Sequence, residues 1–307
     1  MIKLNNVSKN FGGIQALDNV SLNINSGEVF GLLGPNGAGK STTINIISTI
    51  LKPDSGEIFI NEKPLSSCEK ERKMEIGIVP QEISLYEDLS AFENLMFWGE
   101  LYNIDSKNLK NIINEKLDFV GLSDRKNDLI KTFSGGMKRR INIAASILHK
   151  PKVLLMDEPT VGIDPQSRNR IFEVVQQLNA EGVTVIYTTH YMEEAEKLCS
   201  RIAIIDLGKI VAEGNLAQLK QIGKASDSLT ITTASTLSDK TALSFPETDS
   251  VKIFGNKIKI ECSNFGKQLS AIVNELDKQQ IDISGIESES ASLETIFLNL
   301  TGKQLRD

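Results

Sequence analysis

The sequence is poor in cysteine and histidine, has no excess of basic residues and contains no long apolar run. Its three cysteines, Cys68, Cys199 and Cys262, stand too far apart for a disulfide framework or a Cys-x-x-Cys zinc site, and read as packing or surface residues. No stretch reaches the roughly 18 consecutive apolar residues of a membrane span. The best runs, such as Val153–Met156, have the length of a buried strand, so a span must come from another chain if the protein works at a membrane. Met1–Phe11 is polar and already alternates as a strand does; no signal peptide is expected there, and the expected address is the reducing cytosol. With 34 Lys and Arg against 40 Asp and Glu, the formal net charge is -6. That excludes a chain-wide basic footprint, so nucleic acid is not an expected partner, although a local basic patch stays open.

What is present is ordinary globular composition: 307 residues, 40% hydrophobic, 24% charged and 6% aromatic. Collagen-like, low-complexity and wholly disordered chains are excluded, and the length suits one large domain with a small one. Ile2–Val7 and Val20–Ile24 alternate as half-buried antiparallel strands, with Gly12-Gly13 as the turn between them. Val29–Leu33 is instead continuously apolar, the pattern of a central parallel strand. Helical spacing follows over Lys40–Leu51, and Pro53-Asp54-Ser55-Gly56 reads as a turn before strands at Glu57–Ile60 and Ile76–Val79.

From Ser90 to Lys150 the pattern is helical: Ser90 and Glu93 form a capping-box signature, Ser106 starts a second helix and Ser134 stands before a third. Short apolar strands return at Val153–Met156, Thr184–Thr188 and Ile202–Ile205, with Asp164-Pro165 opening a helix to Ala180, which demands a parallel α/β sheet. Leu219–Ser228 turns polar. Beyond it, strands at Leu229–Thr233, Val251–Phe254, Lys257–Cys262 and Ile281–Ile286 and helices at Gln268–Lys278 and Leu293–Leu300 form a small α+β domain without visible catalytic residues.

The chemistry lies earlier. Gly34-Pro35-Asn36-Gly37-Ala38-Gly39-Lys40-Ser41 fits Gly-x-x-x-x-Gly-Lys-Ser/Thr between an expected strand and an expected helix. Glycines let the backbone wrap close to phosphates, so that amide N–H groups and the helix N-terminus face negative charge. Lys40 is expected to reach the β- and γ-phosphates, and the Ser41 hydroxyl to ligate magnesium. Such a site also needs a carboxylate at the end of a buried strand, which Val153-Leu154-Leu155-Met156-Asp157-Glu158 supplies: Asp157 for magnesium, Glu158 to polarise the attacking water.

The order of these elements, with Gln81 after a strand, Ser134-Gly135-Gly136-Met137, Asp157-Glu158-Pro159-Thr160, Gly162-Ile163-Asp164 and His190, resembles the ATP-binding subunit of ABC transporters. The resemblance covers Met1 to roughly Leu219. It implies a phosphate-loop cassette with a mixed sheet core, an antiparallel β subdomain and an inserted helical subdomain, followed by the small α+β domain. The boundaries are then a cassette over 1–219 with the helical subdomain at about 88–150, a linker over 220–228 and an accessory domain over 229–307.

Roles carry over by position, as the resemblance implies them. ATP would be bound by Gly34 to Ser41 with Thr42 and by Phe11, which matches the aromatic that stacks on adenine; the alternative reading of Phe11 is a strand-edge core residue. Gln81 matches the glutamine that senses magnesium and water, so Ser41, Gln81 and Asp157 form the expected magnesium set. Glu158 is the expected general base and His190 the switch histidine at the γ-phosphate. The other histidine, His149, reads as a helix C-terminal cap.

Ser134, Gly135, Gly136 and Met137 would bind the γ-phosphate held by a second copy of the chain, and Gly162, Ile163 and Asp164 would form the loop at that dimer interface. The expected partners are therefore a homodimer mate and a separate multi-span permease, at the cytoplasmic face of the membrane. Phe133 stands where the family usually has Leu, and Met137 where it usually has Gln. Met137 with Lys138-Arg139-Arg140, and the closing Ser292–Gly302 segment, are similar to ATPases of bacterial drug and antibiotic exporters of the daunorubicin type. Arg139 and Arg140 read alternatively as a solvated face. Phe92, Phe97 and Trp98 suit either a partner groove or the core of the helical subdomain. A soluble or mechanical ABC ATPase and a regulatory subunit without turnover are the rival classes; the single cassette, the lack of sustained heptads and the presence of both Glu158 and His190 disfavour them.

Overall fold

The computed structural model describes residues 2–65, 74–237, 243, 245, 248–262 and 265–302, with the side chains of 265–267 left aside. Cys68 lies outside the described residues. The chain divides into two compact units that part between Leu216 and Ala217.

The first unit opens with an antiparallel sheet. Strands β1 (Ile2–Phe11) and β2 (Ile14–Ile24) turn at Gly12-Gly13, and β4 (Ser55–Ile60) and β5 (Lys63–Pro64) complete the order β2-β1-β4-β5. Strand β3 (Val29–Leu33) belongs to a second sheet with β6 (Ile76–Val79), β7 (Val153–Asp157), β8 (Thr184–Thr189), β9 (Arg201–Asp206) and β10 (Lys209–Gly214), in the order β10-β9-β3-β8-β7-β6. Pairs β3/β8, β3/β9, β6/β7 and β7/β8 are parallel and only β9/β10 is antiparallel, so the sheet is mixed at one edge.

Every residue of β3, β7 and β8 is buried, because both faces of this sheet are covered. Leu154, Met156, Val185 and Tyr187 face one core, which includes the helical segment; Val153, Leu155 and Ile186 face the other, shared with the antiparallel sheet and helix α1 (Lys40–Ile47). Alternate residues of one strand thus serve two cores, which explains why these strands read as unbroken apolar runs.

The helical segment holds α2 (Ala91–Leu101), α3 (Ser106–Phe119) and α4 (Gly135–Ser146). The Ser90/Glu93 capping box forms in both directions, and the Ser134 hydroxyl accepts from the Met137 N–H. Helix α5 (Pro165–Ala180) starts with Asp164 as N-cap and proline in its first turn, and α6 (Met192–Leu198) follows β8.

Several sequence expectations shift. The first helix ends at Ile47, not Leu51, because Thr49 takes a left-handed φ of 66° that no helix continues. Ser55 and Gly56, read as a turn, already lie in β4, with Ser55 opposite Ser8 of β1. Helix α3 does start at Ser106, as expected, and Asp105 before it is the N-cap, its side chain accepting from the Lys107 N–H. His149 is no helix cap: its Nε2 meets the Ile76 carbonyl of β6 at 3.1 Å and its ring stacks on Tyr102 at 3.9 Å.

In the second unit, α7 (Leu216–Ile222) leads to a four-stranded antiparallel sheet, β12-β13-β11-β14, of β11 (Asp227–Thr233), β12 (Ser250–Phe254), β13 (Lys257–Cys262) and β14 (Ile283–Glu289). Leu229, Ile231, Ile258 and Ile260 pack one face of it on Ile272 and Leu276 of α8 (Phe265–Lys278), and α9 (Leu293–Thr301), capped by Ser292, ends the described chain. No helix among the described residues is long and apolar enough to cross a membrane.

Candidate active site

The loop from Gly34 to Gly39 joins the end of β3 to the start of α1. Gly39 has φ 110°, and a Cβ there would lie 2.7 Å from the Ala16 carbonyl oxygen, so only glycine fits where the loop passes the antiparallel sheet. The next residue, Lys40, turns back over the loop: Nζ donates to the carbonyls of Gly34 at 2.8 Å and Pro35 at 2.9 Å. Its third partner is Glu158 Oε1 at 3.0 Å. A cleft of about 230 Å³ lies above this arrangement, lined by Ala16, Asn36, Gly37, Gly39, Lys40, Ser41, Thr42, Gln81 and Glu158.

The acidic pair sits at the end of β7, beside β8. Thr188 of β8 fixes both members: its hydroxyl donates to Asp157 Oδ1 at 2.7 Å, and its oxygen accepts the Glu158 N–H at 2.9 Å. Asp157 is buried with no cationic side chain in ion-pairing distance among the described residues. Glu158 leaves the strand at a left-handed φ of 43°. Its carboxylate lies between Lys40 on Oε1 and His190 on Oε2, where Nδ1 lies at 3.3 Å. The His190 contact is close without hydrogen-bond geometry, and Nδ1 has no hydrogen-bond partner among the described residues.

Gln81 follows β6 and lines the same cleft. Its backbone is gripped from α4: the Arg139 guanidinium donates to the carbonyls of Pro80 and Gln81. Arg139 is therefore neither solvated nor on a free face, and burial lowers its pKa. Arg140 donates to the Val120 carbonyl at 2.8 Å, which ties α4 to the end of α3.

Phe11 is 44% exposed at the tip of β1, which removes the core reading, and Lys9 Nζ stands over its ring at 5.5 Å from the centre. Ser134, Gly135, Gly136 and Met137 do not line the cleft of their own chain. They start α4 against the loop 162–167: a Cβ on Gly136 would lie 2.2 Å from the Ser167 side chain and 3.6 Å from Ile163. Gly162 takes φ 73°, and Asp164 caps α5 by accepting the Ser167 N–H at 2.9 Å, which holds its carboxyl below the usual carboxylate range. The structure thus gathers the phosphate loop, Gln81, Asp157, Glu158 and His190 at one place, and the Ser134 and Asp164 segments at another.

The aromatics of α2 divide. Phe92 and Trp98 pack on the core, while Phe97 is exposed and meets exposed Tyr86 edge-on at 5.0 Å. Sequence reading passed over Ala16, whose carbonyl borders the loop, and Thr188, which aligns the acidic pair. Neither residue type carries a signal of its own; only strand pairing brings Thr188 beside Asp157.

A profile described as ABC transporter matches residues 17–161. Over 313 residues, the whole of both chains, the sequence is 45% identical to the linearmycin resistance ATP-binding protein LnrL of Bacillus subtilis (strain 168). It is 36% identical over 310 residues, 100% of this chain and 94% of the relative, to the daunorubicin/doxorubicin resistance ATP-binding protein DrrA of Streptomyces peucetius. Among solved structures, the dimeric post-hydrolysis state of the ATP-binding cassette MJ0796 bound to ADP and Pi superposes with a TM-score of 0.64 at 31% identity, covering 70% of this chain and 99% of that one.

Proposed function

The chain belongs to the ABC transporter family as an ATP-hydrolysing, nucleotide-binding subunit, and from that premise we propose that it powers an exporter by closing as a homodimer around MgATP and driving a separate multi-span permease at the cytoplasmic face of the membrane. The observation that carries the reading is the Glu158 carboxylate held between Lys40 and His190 above the phosphate loop. In this arrangement Lys40 and Glu158 neutralise each other. Incoming β- and γ-phosphates compete for the Lys40 ammonium, which releases Glu158 to accept a proton from the attacking water. Gly34 to Ser41 with Thr42 cradle the phosphates, Phe11 stacks on the base, and His190 meets the γ-phosphate.

Magnesium fits the donors at hand: Asp157 is a buried carboxylate without a cationic partner among the described residues, and with the Ser41 hydroxyl and Gln81 it would hold the ion. When bound, it neutralises charge on the β- and γ-phosphate oxygens.

Ser134, Gly135, Gly136 and Met137 serve the nucleotide of the second copy, with Gly162, Ile163 and Asp164 at the dimer interface; their separation from the cleft of their own chain supports this. The exposed Tyr86/Phe97 pair supports a permease contact beside Gln81. The domain assignment follows the same reading: a cassette over 1–219, a linker over 220–228 and an accessory domain over 229–307. Export rests on the resistance proteins to which the whole chain is similar. The test is affinity capture of tagged Glu158→Gln protein from native membranes with MgATP. Stoichiometric recovery of a multi-span membrane protein is the expected result; ribosomes, DNA or no partner would favour a soluble ABC ATPase.

A further inference from the structure

Outside the cleft, a third buried carboxylate organises the same loops. Glu194 of α6 is 2% exposed and accepts from three hydroxyls: Thr160 Oγ1 at 2.7 Å, Tyr187 OH at 3.0 Å and Thr189 Oγ1 at 3.0 Å. The cation nearest it is Arg168 of α5, with Nε 3.5 Å from Oε1. Those hydroxyls come from different places. Thr160 lies two residues beyond Glu158 in the loop leading to Gly162, Ile163 and Asp164, whereas Thr189 directly precedes His190.

A carboxylate only accepts, so it dictates where each hydroxyl proton points. With its proton aimed at Glu194, Thr189 presents a lone pair to the Tyr191 N–H, which donates to it at 2.9 Å and closes the turn that carries His190. Tyr191 in turn packs on His190 at 4.1 Å between ring centres, and Arg168 lies 5.4 Å from the Tyr191 ring centre. One acceptor therefore fixes both loops whose side chains meet as Glu158 and His190.

We propose that Glu194 is a positioning residue for hydrolysis, which holds the His190 turn and the Thr160–Asp164 loop in register so that His190 stands against Glu158. The proposal rests on the assignment of Glu158 and His190 above. An amide at this position keeps the volume and brings a donor, so at least one hydroxyl must turn away or lose its partner.

The test is a double-mutant cycle in single-turnover ATP hydrolysis by the full chain. Glu194→Gln is expected to lower the hydrolysis rate by about 10- to 100-fold while the affinity for a fluorescent ATP analogue changes by less than about threefold. In a His190→Ala background the same substitution should cost less than about twofold, because Glu194 acts through the histidine turn. Thr160→Val removes one hydroxyl and leaves the carboxylate two donors; it repeats the cycle with a milder change if Glu194→Gln folds poorly. Equal losses in both backgrounds, or a wild-type rate in the single variants, would overturn the proposal. A wild-type rate for His190→Ala alone would instead overturn the site assignment, and the proposal with it.

Discussion

Lys40 Nζ and Glu158 Oε1 form an ion pair of 3.0 Å with both side chains almost fully buried. The lysine opens helix α1 and the glutamate follows strand β7, so the contact joins the two segments that must handle phosphate and water. A buried pair of this kind adds little net stability, but losing one partner strands the other charge. The pair is thus a stored competition: phosphate that takes Lys40 also frees the base.

Removing the lysine alone should therefore harm the protein twice. Lys40→Ala is expected to weaken binding of a fluorescent ATP analogue and, by leaving Glu158 short of its cation, to lower unfolding stability by about 3 kcal/mol or more. Adding Glu158→Gln to Lys40→Ala should recover most of that stability and none of the binding. Urea titration of both variants checks the first part; unchanged ATP affinity in Lys40→Ala would count against the phosphate-loop assignment.

A second expectation concerns Arg139. Its fork onto the Pro80 and Gln81 carbonyls makes it the link between α4 and the segment carrying Gln81. Arg139→Met should cost about 1–3 kcal/mol, because carbonyl acceptors lose their donor, and should slow hydrolysis by loosening Gln81. Arg139→Lys should restore little of either, since an ammonium cannot make the planar fork. Wild-type stability and turnover in Arg139→Met would show that the grip is incidental.

Acid sensitivity should trace to His149. Burial lowers its pKa from the ordinary value of 6.5, opposed only by the hydrogen bond with Ile76. The unfolded chain therefore binds this proton first, so stability falls as pH drops below about 6.5 and levels off below the folded-state pKa. His149→Phe keeps the stack on Tyr102 without the proton. Denaturant unfolding at pH 7.5 and 5.5 should show a smaller acid loss in the variant; an equal loss would assign the sensitivity to other groups.

Much of this was legible before the fold. The phosphate loop, the apolar run into Asp157-Glu158 and the caps at Ser90, Ser134 and Asp164 are local, and each depends on residue types at fixed spacing. The spacing overextends helix α1 because Leu51 continues the apolar series of Ile44 and Ile47, whereas the chain reverses at Thr49. Arg139 reads in the sequence as part of the basic run similar to exporter ATPases or, alternatively, as a solvated face, and only the packing of α4 on β6 turns it inward. Glu194 carries no signal of its own in the sequence, and its place emerges only where Thr160, Tyr187 and Thr189 converge on it. Residues that act through tertiary partners leave no periodic or compositional trace.

The central claim is that Glu158 is the base whose release by ATP leads to hydrolysis within a closed dimer. Light scattering of Glu158→Gln protein with and without MgATP, run alongside its ATP turnover, tests it most directly. The account predicts an ATP-dependent dimer and turnover reduced by about 100-fold or more, the scale of a lost general base. A Glu158→Gln protein that hydrolyses ATP near the wild-type rate and stays monomeric with MgATP would contradict it.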